Sequence, residues 1–142
     1  AINESELMDV LIDVRREYAG LLFYAGGSLQ LDVGNAFLLV ARRLSALTWS
    51  RPMGLAPGEL GAHYVGGTAP MPVNGSRRFD LIGVMGGDIG LEAASMSFYA
   101  LDMPGMDDPM PLYDDPDVAR IEAGVVTFDK AATPIAASHW NT

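Results

Sequence analysis

The sequence predicts an α+β fold: an N-terminal helical hairpin, a long irregular Gly/Pro-rich arm, then mostly antiparallel β strands. Three observations predict it. Apolar residues over positions 2–50 recur at helical spacing, and apolar residues over 118–129 alternate. Between them, residues 51–78 hold six glycines and four prolines with no sustained period. Helical signals followed by strand signals, rather than alternating with them, separate this pattern from an α/β fold. The chain of 142 residues reads as a single domain: helical hairpin 1–50, extended arm 51–78 and a β-rich acidic part 79–142.

The first helix is read over residues 2–25. Asn3 caps it, Glu6 reaches back from the third helical position, and Ile2 and Leu7 hold the two positions of a hydrophobic staple. Leu7, Val10, Leu11, Val14, Tyr18, Leu21 and Leu22 form one apolar face. Glu4, Glu6 and Asp9 sit near the positive end of the helix dipole, and Gly26-Gly27 supplies the C-cap. Met8, Ile12, Ala19 and Phe23 make a second stripe that a lone hairpin would leave wet.

A link at 28–34, where Leu29, Leu31 and Val33 alternate, leads to a second helix over 35–50. Its apolar face is Phe37, Val40, Ala41, Leu44, Leu47 and Thr48, and it stops before Arg51-Pro52 because proline disfavours a helical predecessor. Arg42 and Arg43 lie opposite, with Leu39 and Trp49 beside them. An aliphatic, an aromatic and two arginines on one face resemble the anchor chemistry of a protein interface; the plainer reading is that the strands of the same chain cover this face.

The arm is too rich in Leu55, Leu60, Tyr64 and Val65 for a plain linker, and Tyr64 is a candidate contact. Asn74-Gly75 marks a turn. Residues 79–85 read as a buried strand. Residues 91–101 fit a strand, or a helix capped by Asp88; the Ser97-Phe98-Tyr99 run tips the balance towards strand. A proline-rich acidic loop follows at 104–117, then the strand at 118–129 and a small mixed tail at 130–142.

Composition excludes several functions. There is no cysteine, hence no disulfide, thiolate metal site or cysteine nucleophile. Up to Arg78 seven arginines balance seven acids, so the whole net charge of −9 arises from Phe79 onward. That half repels nucleic acid, whose phosphates need dense Lys and Arg. No apolar run approaches a membrane span, and no basic region followed by an apolar block marks a signal peptide. Cytoplasmic synthesis with removal of the initiator methionine is the expectation.

Each candidate site has a plainer reading beside it. The turn over 83–90, Gly-Val-Met-Gly-Gly-Asp-Ile-Gly, would cradle phosphate if a helix followed, but it matches neither the dinucleotide nor the P-loop spacing; a hairpin turn is the plainer reading. Asp107, Asp108, Asp114 and Asp115 in the acidic loop 107–117 offer oxygens to a cation, or contacts to a partner, without the spacing of a calcium loop. His63 and His139 lack a nucleophile elbow or further metal ligands. Glu17 and Glu92 read as ordinary charges. Arg15-Arg16 is balanced by nearby acids such as Asp13, whereas no carboxylate shares the helix of Arg42-Arg43. No cofactor is implied. The function that fits best is a structural or assembly subunit of a large oligomer, a small virion component (capsid, decoration or tail protein) being one such case. It would act through Leu39, Arg42, Arg43, Trp49, Tyr64 and the four aspartates on copies of itself or other subunits. The alternative is a small-ligand-binding domain or enzyme using the 83–90 turn or an acidic-loop metal.

Overall fold

A computed structural model describes residues 5–25, 34–50, 63–67, 69–83, 87–106 and 127–141. Among them there is no helix. Eight strands follow one another: β1 (Ser5–Asp13), β2 (Tyr18–Tyr24), β3 (Ala36–Ser50), β4 (His63–Gly67), β5 (Met71–Val73), β6 (Ser76–Gly83), β7 (Gly87–Asp102) and β8 (Thr133–Asn141). All pairings are antiparallel. β1 pairs with β2, β2 with β3, β3 with β7, β7 with β6, β6 with β4 and β4 with β1, so six strands close into a barrel. β5 extends β6, and β8 takes the length of the β7 edge beyond β6.

The predicted helical hairpin is therefore a correction: residues 5–24 are a β-hairpin, and 36–50 are one long strand. The hairpin loop is residues 14–17, where the helical reading had put Val14 on its apolar face. The Asp13 carboxylate Oδ1 accepts from the backbone N–H of Arg15 and of Arg16, each at 3.0 Å. Glu17 closes the loop at φ 54. The Asp13–Arg16 ion pair expected on a helix face does form, at 3.8 Å, but inside this loop.

The apolar run of β2 misled because both of its faces are buried. Ala19, Leu21 and Phe23 point into the barrel, while Leu22 and Tyr24 face a second cluster on the outside, so no period of two survives. In β3 the cause is different. Arg43 sits at φ 53, and the register with β7 slips between Leu44 and Ala46. The residues that pack inward are Phe37, Leu39, Ala41, Leu44 and Leu47, with two gaps of two followed by two gaps of three. Bulges thus gave a strand the spacing of a helix face.

The barrel interior is layered. Leu7, Phe23, Phe37 and Ala100 are successive cross-strand partners in one layer, and Leu21, Leu39 and Phe98 in the next. Phe79, Leu81 and Leu91 fill the β6–β7 side. Burying each such Phe or Leu contributes about 1.5–3 kcal/mol, so this core dominates the stability. The outer cluster adds Leu101 and Met103, with Met106 and Phe128 packed on it. Gly20 makes room for the Phe128 ring, which a Cβ would meet at 3.2 Å. The Thr127 hydroxyl donates to Asp129 and holds that carboxyl below its usual range. The tie is present at neutral pH and is lost as pH falls through the lowered pKa.

The strand readings of 79–85 and 91–101 agree with β6 and β7 where the residues are described. Asn74 (φ 46) and Gly75 (φ 79) form the β5–β6 turn, with Val73 opposite Ser76. Within the stretch read as an arm, residues 63–67 form β4, a wall strand, and 71–78 form β5 and the start of β6. The caps at Ile2, Asn3 and Gly26-Gly27, the link 28–33, the arm residues 51–62 and the strand at 118–126 lie outside the described residues.

Candidate functional site

Among the described residues the barrel wall is incomplete at one end. β1 meets β4 only over Ser5–Leu7, and β3 meets β2 only as far as Arg42. Past these points β1 and β3 each have one edge with no strand partner among the described residues. Val10 and Ile12 on β1 lie opposite the inward residues Leu21 and Ala19, so they too face the lumen. Across it lie Leu47 and Trp49 of β3 and Ile89 of β7, and Leu7 forms part of the same wall. These residues enclose an apolar cleft of about 430 Å³.

The rim of this cleft is wet. Trp49 is 60% exposed, Val10 42% and Ile12 49%, and Val14 in the adjoining loop is 83% exposed. Five of the seven exposed large hydrophobics among the described residues, Leu11 included, belong to this end. Arginines flank it. Arg15 and Arg16 stand exposed in the β1–β2 loop. That loop rests on the β3 kink, where the N–H of Leu44 donates to the Glu17 carbonyl at 2.8 Å, so Arg42 and Arg43 lie beside it.

The sequence-derived contact residues separate. Leu39 is 1% exposed in the barrel core, because the helical face that set it beside the arginines does not exist. Arg42 is exposed and donates from Nη1 to Ser97 Oγ at 3.1 Å; Arg43 is exposed at the kink. Trp49 is exposed at the rim. Tyr64 lies in β4 opposite Glu6, and Asp107, Asp108, Asp114 and Asp115 lie outside the described residues. Val10 and Val14, read as part of the main apolar helix face, and Ile12, read as part of the second stripe, instead line or border the cleft. The polar run Asp13-Val-Arg-Arg-Glu17 between two apolar stretches was the signal that could have revealed the hairpin.

Catalytic readings gain little. In the 83–90 turn, Gly83 pairs with Gly87 and β7 continues as a strand, so no helix dipole meets an anion there. His139 Nδ1 lies 2.9 Å from Ser97 Oγ, but that oxygen also accepts from Arg42, and His139 stacks edge-on against Tyr99. The contact ties β8 to β7 and β3. Among the described residues no three His, Cys, Asp or Glu converge as metal ligands. On the outer wall, Arg78 bridges Asp80 at 2.9 Å and Glu92 at 3.0 Å. The hydrogen bond to Asp80, then its charge, then Glu92, raise the Arg78 pKa above its usual value. Such an exposed network contributes little beside the core.

No protein-family model, curated protein or solved structure matches this chain. Among the described residues no helix is long and apolar enough to cross a membrane.

Proposed function

We propose that the chain is a structural subunit that assembles with copies of itself through the open end of its barrel. The observation that carries this is the exposure of Trp49 beside Val10, Ile12 and Val14. An apolar cluster of this kind, rimmed by polar residues, marks an interaction site on a protein surface. Tryptophan and arginine are the residue types that dominate binding energy at such sites. Charge is the argument for a second copy as the occupant: exposed Arg15, Arg16, Arg42 and Arg43 stand near this end, with Asp13 and Glu17 among them, while the net −9 of the chain arises after Arg78. A contact between this end of one copy and the acidic half of another is electrostatically complementary.

Trp49→Ala tests it. Association weakens by about 2 kcal/mol or more, roughly thirtyfold, as read by sedimentation velocity. Thermal unfolding of the monomer shifts less than for a core aromatic, since Trp49 is 60% exposed. Arg15→Glu combined with Arg43→Glu also weakens association, more so at low salt. An unchanged mass distribution with a sharply lowered melting temperature sinks the proposal.

A second reading rests on the cleft itself. Its volume lies within the range of small-ligand sites, about 300–1,000 Å³, and its wall is mostly apolar, with Asp9 the charged residue in it. An uncharged apolar ligand would raise the melting temperature of a monomer and leave its mass unchanged. The assembly reading requires the mass to rise with concentration.

A further inference from the structure

From a different part of the molecule, we infer that β8 is a second contact, pairing antiparallel with β8 of another copy about a two-fold axis. β8 pairs with β7 on one side, and among the described residues no strand pairs with its other edge. Every residue from Thr133 to Asn141 except Trp140 is exposed, so most of the strand is accessible to a partner. About half of its backbone N–H and C=O groups point away from β7, which is a template for another strand.

The strand is nonetheless held in place. Trp140 packs against the barrel core, and His139 contacts Ser97. Arg77 donates from both Nε and Nη2 to the Asn141 carbonyl, at 3.1 and 2.7 Å. An edge already held in extended form costs little entropy to pair.

Composition selects the occupant. Proteins usually guard an open edge with charged side chains, lysine above all. Thr133–Asn141 contains no Asp, Glu, Lys or Arg, in a chain of net charge −9. An identical strand therefore meets it without placing like charges opposite one another. Ala136, Ala137 and Ser138 at the centre are small, so residues facing their own copies do not collide. Pro134 offers no N–H, which sets the pairing towards the middle and C-terminal part of the strand. One strand pair buries less than the roughly 1,200 Å² of a stable interface. The contact is thus weak alone and gains strength beside the open-end contact.

The absence of native cysteine gives a direct test. Ile135, Ala136, Ala137, Ser138 and His139 are replaced by Cys one at a time, with Met71→Cys, exposed on β5 and outside both proposed contacts, as the collision control, under mild oxidation. Directly opposed residues of an antiparallel pair lie about 4.5–5.5 Å apart at Cα, within disulfide reach. The expected result is a single maximum of dimer cross-linking within 135–139, falling off on both sides and at least fivefold above the control. Repeating the series on the Trp49→Ala chain separates the two contacts, because the maximum persists there if β8 pairs on its own account. Cross-linking no greater than the control, or equal at all five positions, overturns the inference. As a non-covalent check, Ala137→Lys lowers the dimer fraction in sedimentation while circular dichroism stays unchanged; an unaltered dimer fraction also overturns it.

Discussion

Phe37→Ala lowers the stability of the fold by about 3–5 kcal/mol, the range for emptying a fully packed aromatic site. Phe37 is 2% exposed and stands opposite Phe23 on one side and Ala100 on the other. Its ring centroid lies 5.1 Å from that of Phe98. The neighbours cannot collapse into the gap, because they belong to strands held by ladders on both sides. For a chain of this size the melting temperature falls by roughly 10 °C or more, read by calorimetry or circular dichroism. Trp49→Ala on the same strand removes a larger side chain with a far smaller effect on folding. If Phe37→Ala costs less than Trp49→Ala in thermal unfolding, the assignment of inside and outside along β3 is wrong.

Gly34→Ala is the second large effect, about 2–4 kcal/mol, from left-handed strain added to a steric clash. Gly34 has φ +95, and a Cβ there would lie 2.6 Å from Ile135 Cδ1 and 2.7 Å from the Leu101 carbonyl oxygen. The isoleucine tip can swing away. The carbonyl cannot, since it accepts from the Asn35 N–H at 3.0 Å. Asn35 in turn clamps Met103, its Oδ1 accepting from the Met103 N–H at 2.9 Å and its Nδ2 donating to the Met103 carbonyl at 3.1 Å. Displacement here would loosen the seam joining β3, β7 and β8. Gly75→Ala is the comparison: φ is +79 but nothing lies within 4 Å, so only strain of about 1 kcal/mol remains. Adding Ile135→Ala to Gly34→Ala recovers part of the loss, not all of it. Equal unfolding midpoints for Gly34→Ala and Gly75→Ala would exclude the backbone clash.

The legible parts of the site and fold were those set by local chemistry. Asn74-Gly75 is a turn because those two residues accept positive φ at little cost, whatever surrounds them. Phe79 to Gly83 and Leu91 to Leu101 read as strands from β-branched and aromatic residues bounded by glycine. Trp49 and the Arg42-Arg43 pair were singled out on a helical face, and they are exposed for another reason, the end of β2 at Tyr18. Leu39 failed because it is a one-residue neighbour of an outward position on a strand, and the helical period put it on the wrong side.

By itself, the sequence determined the amount of apolar material, the absence of cysteine, the charge division near Arg78 and the places where the backbone must turn. These depend on residue identity alone. The tertiary structure decided whether the first fifty residues would be helix or sheet. An apolar run such as Tyr18–Tyr24 satisfies either geometry, and burial on both faces of β2 removes the alternation that would distinguish them. Closure of six strands into a barrel, the phase changes at Arg43 and Ser45, and the end of the β2–β3 ladder short of Trp49 all arise from pairings between residues far apart in the chain. Each such pairing is a choice among many apolar partners of similar energy, and only the closed set of ladders makes one choice better than the rest.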